Sequence, residues 1–170
     1  SLRDGQTPGY IENLHEYAAE CNALRDLIVD EQGERVRILL VAHSQGGLSS
    51  ALWVNSEQPH HIEGLALNSP WLELQGNRML RLLSTPLVQA FRLGGGKTVL
   101  PIRDPGFYGR CISHATGGEW DYLDHPICDS AAFVPRAGWM QAIYNGQGEI
   151  ARHLDIRIPV LVCKIGRAHV

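Results

Sequence analysis

The sequence has few of the features that would place it in a membrane-spanning, disulfide-rich or nucleic-acid-binding class. No uninterrupted apolar run approaches about eighteen residues, so we expect no membrane-spanning helix. The four cysteines are far apart and form no C-x-x-C pair, which argues against a disulfide framework and a zinc site. The net charge of −3 gives no long-range attraction to nucleic acid or to an anionic membrane. No secretory signal is visible, and we expect a cytoplasmic protein.

The length and composition of the chain are those of an ordinary globular domain. The chain has 170 residues, of which 44% are hydrophobic and 19% are charged. That length is sufficient for one domain with a buried core. Nothing in the composition requires a metal ion or an organic cofactor, and we expect neither.

The most informative stretch is a serine between a predicted strand and a predicted helix. Ser44 follows the apolar run 38–41, and residues 48–53 resemble a helix. A strand that turns sharply through a serine into a helix is the setting of a nucleophile elbow. Such a turn raises the serine side chain above the sheet and directs the unpaired N–H groups of the helix start toward the group under attack. The pattern predicts that Ser44 is a nucleophile.

The residues around this serine are small, as a tight strand–helix turn requires. The usual pattern is G-x-S-x-G, in which the residues two positions before and after the serine nearly touch. Here these residues are Ala42 and Gly46, and Gly47 gives further room. Alanine adds one methyl group to the usual glycine, which we expect the turn to tolerate. We therefore predict that Ala42, Gly46 and Gly47 support the elbow.

The spacing of apolar residues indicates alternating helices and strands, which predicts an α/β fold with a parallel sheet. Asn13 and Glu16 have the spacing of a capping box, and Gly33 is a plausible end for the helix that follows. The predicted strands and the second helix cover residues 35–42, 44–57, 65–67 and 158–163. The strands lack polar alternation, so we expect both of their faces to be buried.

The pattern changes after residue 73. Residues 74–155 contain many glycines, prolines and aromatics but no strong strand, and we expect Pro86 to break or restart their first short helix. We interpret 74–155 as an inserted, mostly helical lid on the core segment 1–73, with 156–163 returning to the core sheet. Residues 164–170 resemble the translation of common sequencing-adapter DNA, and we interpret them as a non-native tail.

Two other motifs suggest ligand sites that the local sequence does not support. The run from Gly94 to Thr98 resembles a phosphate loop, but Phe91 occupies the position of the first required glycine and no strand precedes it. The adjacent pair His60 and His61 has no third metal ligand nearby, and neighbouring residues rarely point at one ion. We interpret both as loop features.

With the elbow, the insert and the returning strand in place, the chain resembles the α/β-hydrolase family. It is most similar to the bacterial serine-aminopeptidase-like, lysophospholipase and monoacylglycerol-lipase branch, and the likeness spans residues 1–163. The segments that carry the resemblance are Thr7-Pro8-Gly9-Tyr10-Ile11, Ala42-His43-Ser44-Gln45-Gly46-Gly47, Leu67-Asn68-Ser69-Pro70-Trp71-Leu72, Asp104-Pro105-Gly106-Phe107-Tyr108-Gly109, Gly118-Glu119-Trp120-Asp121-Tyr122 and Ile158-Pro159-Val160-Leu161-Val162.

The resemblance implies a role for two residues of the elbow. Ser44 would be the nucleophile, and the backbone N–H of Gln45 would supply half of the oxyanion hole. The second donor would come from a loop preceding residue 1. The acid would follow the strand 158–163, but no Asp or Glu occurs after Cys163, and His169 lies in the suspected tail. We therefore identify no triad acid or base, and we expect an internal piece of a hydrolase that is inactive alone.

Other acidic and histidine residues keep the chain order of a triad but lie in or beside the predicted lid. These residues are Glu73, Asp121, Asp124, His125, Asp129 and His153. We interpret the lid charges as a solvated surface, and we expect Glu73 to orient the lid. His43 adjoins the nucleophile in sequence, so we expect its side chain to point away from Ser44.

The function implied by the resemblance is that of a serine hydrolase. It would cleave carboxylic esters of lipophilic acyl groups, in the manner of a lysophospholipase or monoacylglycerol lipase, through an acyl-serine intermediate. Its partner would be a small acyl ester or lipid, with no nucleic acid involved. Two alternatives stay open: a peptidase or amide hydrolase on the same fold, and a binding module without catalysis.

Overall fold

The computed structural model of the chain shows helices and short strands in alternation. It describes residues 7–73, 78–101, 114, 119 and 134–164. In chain order the elements are a 3-10 turn (Leu14–Glu16), α1 (Tyr17–Gln32), β1 (Ile38–His43), α2 (Ser44–Glu57), β2 (Ile62–Asn68), α3 (Arg78–Arg92), α4 (Ala137–Arg152) and β3 (Val160–Cys163). In the part of the chain so described, no helix combines the length and apolar character needed to cross a bilayer.

The first helical segment begins and ends at the residues that the sequence predicts. The side chain of Asn13 accepts a hydrogen bond from the backbone N–H of His15, and the carboxylate of Glu16 accepts one from the N–H of Asn13. These bonds satisfy N–H groups that have no partner within the helix. Helix α1 ends at Gly33, whose φ of 89° is a conformation that favours glycine. The predicted capping box and helix end are confirmed.

The three strands form a parallel sheet in the order β1-β2-β3. Leu40 pairs with Leu65, which in turn pairs with Val160. Because all three strands run in one direction, their carboxyl ends lie at one edge of the sheet. The α/β class with a parallel sheet flanked by helices is confirmed.

The expectation that both strand faces are buried is wrong. Strand β1 alternates, with Leu39 67% exposed and Val41 69% exposed, and Leu161 of β3 is 61% exposed. Helix α2 packs against the opposite face, where Leu65 and Leu67 are buried. An apolar run predicts a strand, but whether its second face is buried depends on a covering element, which the local sequence does not specify.

The core lies between α2 and the sheet and extends to α4. The side chains of Leu48 and Leu52 are fully buried. A methyl group built on Gly146 of α4 would lie 2.8 Å from Leu52 Cδ1 and 3.0 Å from Leu14 Cδ1. Glycine at this position therefore lets α4 approach α2 closely, and this approach brings the second half of α4 into the core.

By their internal contacts the residues separate into two compact units. One comprises Ser1–Ile11 and Thr85–Gln141, and the other comprises Glu12–Ser84 and Ala142–Val170. The predicted lid, 74–155, has different limits from the first unit, and its role as a lid stays a prediction.

Among the described residues of the first unit, the ring of Tyr10 packs against two other stretches of the chain. Methyl groups built on Gly96 and Gly138 would lie 3.0 Å and 2.6 Å from Cε2 of Tyr10, so the ring packs against both glycines. Arg136 donates a hydrogen bond to the carbonyl of Lys97. These contacts hold three separate stretches of the chain together.

Helix α3 runs without interruption through Pro86, so the expected break is wrong. A proline inside a helix removes one backbone hydrogen bond and crowds the preceding turn, but it does not require the helix to end. In the turn after Pro86, the side chain of Val88 is buried and only 5% exposed. Burial of this side chain offsets part of the cost of the proline.

Candidate functional site

The strand–helix junction has the sharp bend that the sequence predicts. His43 ends β1 in an extended conformation, with φ −121° and ψ 144°. The next residue, Ser44, begins α2 with φ +52°, in the left-handed region. A residue other than glycine in that region costs roughly 1–2 kcal/mol, so the conformation persists only where the surroundings enforce it. Ser44 is exposed at the carboxyl edge of the sheet.

The segment after β2 holds this bend in place. The backbone N–H of Trp71 donates a hydrogen bond of 2.9 Å to the carbonyl of Ser44. A methyl group built on Gly47 would lie 2.8 Å from Cβ and 3.1 Å from Cα of Pro70, so no larger side chain fits there without movement. The elbow is therefore supported by a neighbouring segment rather than by its own turn alone.

The close approach expected at Gly46 is absent. Among the described residues, no atom other than those of its chain neighbours and of the backbone of α2 lies within 4 Å of a methyl group built on Gly46. Ala42 is buried and packs in a cluster with Ala51 and Leu67. The small size of residue 47 is required by Pro70, which arrives from β2, whereas the sequence rule considers only the strand and helix on either side of the serine.

A buried glutamine that the sequence analysis did not identify completes this support. Gln147 of α4 is 9% exposed, and its Nε2 donates a hydrogen bond of 3.0 Å to the carbonyl of Trp71. The available signal was its position between Ile143 and Ile150, at helical spacing on an apolar face. Gln147 therefore fixes the segment that in turn contacts Ser44.

The residue after Ser44 contacts helix α1. The backbone N–H of Gln45 lies in the first turn of α2, at the positive end of the helix dipole. The side chain of Gln45 hydrogen bonds with Tyr17. Burial raises the pKa of the Tyr17 hydroxyl, and the nearby carboxylate of Glu20 raises it further. Tyr17 therefore keeps its proton and hydrogen-bonds as a neutral phenol.

His43 has a structural partner. The carbonyl of Asn68, at the end of β2, accepts a hydrogen bond of 2.9 Å from Nδ1 of His43. The imidazole thus connects the carboxyl ends of two strands, which agrees with the interpretation that it is not the base for Ser44.

Few of the remaining candidates for acid and base lie in the described part of the chain. Within residues 7–73, 78–101 and 134–164, no side chain forms a hydrogen bond with the hydroxyl of Ser44. His153 is exposed at the end of α4. The other acids and histidines that the sequence analysis considered in the lid and tail, Asp121, Asp124, His125, Asp129 and His169, lie outside the described residues.

The glycine run from Gly94 and the pair His60 and His61, both interpreted from the sequence as loop features, have ordinary structural settings. The glycines from Gly94 follow the carboxyl end of α3, where the N–H of Gly95 bonds to the carbonyl of Arg92. This end of a helix presents carbonyl oxygens, which is the opposite of the N–H groups that bind phosphate. His61 interacts with Glu34 and with the carbonyl of Val36. No group of three metal-ligating side chains occurs among the described residues.

Comparison with known proteins gives a family match and a structural likeness. A family model described as serine aminopeptidase, S33, matches residues 3–167. The crystal structure of Paleococcus ferrophilus monoacylglycerol lipase is similar to the chain, with 19% sequence identity and a TM-score of 0.50. The likeness covers 85% of this chain and 52% of the lipase chain, so the chain spans about half the length of that structure. A search of curated proteins finds no match.

Proposed function

Because the chain belongs to the serine aminopeptidase, S33, family of α/β hydrolases, we propose that it carries the nucleophile of a serine hydrolase. The observation that supports this most directly is the left-handed conformation of Ser44, exposed where β1 meets α2. Residues in this conformation cluster at functional sites, although Gln58, His61 and Ser69 of this chain also have positive φ. The proposed reaction is cleavage of carboxylic esters of lipophilic acyl groups, as in a monoacylglycerol lipase or lysophospholipase.

In the proposed mechanism, the hydroxyl of Ser44 attacks the carbonyl carbon of the ester while a histidine removes its proton. The negative charge that forms on the carbonyl oxygen is stabilised by the backbone N–H of Gln45, at the positive end of α2. The alcohol then leaves, and an acyl group stays on Ser44 until water releases it. The histidine and its acid are not assigned to residues of this chain.

Two functions compete for the substrate of this site. The similarity to a structure named as a monoacylglycerol lipase favours a lipophilic ester. The family description, serine aminopeptidase, favours a peptide or amide instead. Both substrates would use the same nucleophile and the same oxyanion donor, so the elbow does not distinguish them.

The first experiment tests the nucleophile. We expect the 170-residue chain alone to show no useful hydrolysis of a short-chain aryl ester, because a serine without a base remains protonated at neutral pH. We expect the protein expressed from its gene, with any flanking coding sequence included, to hydrolyse the ester and to react with a fluorophosphonate probe at Ser44.

The substitution Ser44→Ala should abolish both activities, whereas Ser56→Ala, on the same helix, should leave them intact. Labelling of another serine, or equal turnover by Ser44→Ala, would contradict the assignment. An extended protein that neither turns over nor reacts would favour a binding module without catalysis.

The second experiment distinguishes the substrates. The extended protein is assayed with a monoacylglycerol and with an aminoacyl amide at matched concentrations. A higher kcat/KM for the monoacylglycerol supports the lipid ester, and the reverse order supports the peptidase.

A further inference from the structure

The charge of the chain is distributed unevenly along the sequence. Between Glu73 and Asp104 there is no acidic residue, although the whole chain has a net charge of −3. Within this region the basic residues of α3 and the loop after it are Arg78, Arg81, Arg92 and Lys97. The net charge therefore conceals a local positive region.

The same region presents apolar side chains to solvent. Leu93, just after α3, is 91% exposed, and Leu87 is 58% exposed. Leu87, Ala90 and Leu93 recur at three-residue steps, which places them along one side of the helix end. Val88, 5% exposed, lies on the packed side instead. The exposed leucines are thus part of an amphipathic pattern rather than scattered singly.

Basic side chains accompany these leucines. Arg92 and Lys97 are both exposed, and Nζ of Lys97 lies 5.8 Å from the ring centre of Tyr10. We call Leu87, Ala90, Arg92, Leu93 and Lys97 the α3 surface. Exposed leucines with adjacent cations are the pattern of a helix that lies on a membrane, with its apolar side chains inserted among the lipids.

Another exposed leucine lies in acidic surroundings. Leu24, 60% exposed, lies on α1 in the segment 20–31, which contains four acidic residues and one basic residue. An anionic surface would repel this segment. Leu24 therefore has the same side chain as Leu93 but a different charge environment.

We propose that the α3 surface binds an anionic lipid surface. Arg92 and Lys97 are attracted to the phosphate headgroups, and Leu87 and Leu93 enter the boundary with the acyl chains. A protein partner is less well matched, because the glycines from Gly94 to Gly96 offer no side chains that would shape a pocket around the leucines. The inference does not require the reaction proposed for Ser44.

The test is binding of the 170-residue chain to vesicles at low salt. We expect the chain to sediment with vesicles of equal parts phosphatidylglycerol and phosphatidylcholine, and to bind vesicles of phosphatidylcholine alone at least tenfold more weakly. Leu93→Asp should weaken binding to the anionic vesicles by roughly tenfold, and Lys97→Ala by roughly fivefold. High salt should release the chain.

Two variants serve as controls. Leu24→Asp places the same charge at another exposed leucine, in the acidic segment of α1, and should leave vesicle binding unchanged. Ser44→Ala should also leave it unchanged, so a failure of the proposed hydrolase function is distinguishable from a failure here. Circular dichroism spectra establish that each variant folds, and Leu93→Ser provides an uncharged second test of the same site.

Several outcomes would overturn the proposal. One is the absence of sedimentation with anionic vesicles. Another is equal binding to both vesicle types, and a third is a loss of binding in Leu24→Asp as large as that in Leu93→Asp. Binding to a soluble polyanion such as polyglutamate with the same Leu93 dependence would indicate an acidic protein as the partner instead.

Discussion

At the scale of single residues, the site depends on one strained serine and on the contacts that enforce its conformation. Ser44 is held at φ +52° by a hydrogen bond to its carbonyl from Trp71 and by the packing of Pro70 against Gly47. The conformation costs roughly 1–2 kcal/mol, and it places an exposed hydroxyl next to the N–H of Gln45. This is the geometry that the proposed nucleophile would require.

Substitution by alanine should lower the stability of the protein at Gly47 but not at Gly46. Gly47→Ala gains about 0.5–1 kcal/mol from helix propensity but loses about 1–3 kcal/mol by overpacking against Pro70. Gly46→Ala has the gain without the clash, so we expect it to be neutral or stabilising. Urea midpoints of the two variants measure the difference. Equal destabilisation by both would show that the close approach is not at residue 47.

At the scale of elements, the elbow is held by a helix that is distant in sequence. Gln147 of α4 donates to the carbonyl of Trp71, and Gly146 lets the same helix approach Leu52. One turn of α4 therefore supplies both the close packing and the polar contact. Helix α3 likewise departs from the preference of its local sequence, because it continues through Pro86 although proline disfavours a helix interior.

Removing the amide of Gln147 should loosen this support. Gln147→Leu leaves the carbonyl of Trp71 without its donor in a partly buried position, which should cost about 1–3 kcal/mol in the free energy of unfolding. The matched control is Gln89→Leu, at an exposed position of α3, for which we expect a change within about 0.5 kcal/mol. Chemical denaturation measures both. A Gln147→Leu midpoint equal to that of the control would contradict the role.

At the scale of the whole molecule, one face of the sheet remains apolar and exposed. Leu39, Val41 and Leu161 are each more than 60% exposed, and they lie on the face away from α2. Exposed apolar surface of this kind, next to unpaired strand edges, promotes association. The longer lipase chain to which this chain is similar has almost half its length outside the matched region.

We therefore expect the chain to associate with itself as its concentration rises. Val41→Thr removes apolar area from this face and keeps a β-branched side chain, so it should shift association to higher concentration. Leu24→Thr, at an exposed position of α1, should not. Sedimentation velocity over a concentration series reports the shift. A chain that stays monomeric throughout, or equal effects of the two substitutions, would count against this surface.

The sequence by itself determined the features that depend on a few neighbouring residues. The capping box at Asn13 and Glu16 and the helix end at Gly33 follow from local backbone geometry, and the local sequence also marks where β1 turns through Ser44 into α2. Alternating helix and strand patterns were also sufficient to predict the α/β class, because each pattern reports on the periodicity of its own segment.

Only the tertiary structure decided which surfaces are covered and which residues support the site. The structure shows that the crowded position is Gly47 and not Gly46, and that Gln147 and Tyr17 contact the segments around Ser44. It also shows that one face of the sheet is exposed. Each of these depends on a contact with a segment distant in sequence. Apolar spacing shows which side chains can be buried, but burial itself requires a second element, and its position is set by the packing of the whole chain.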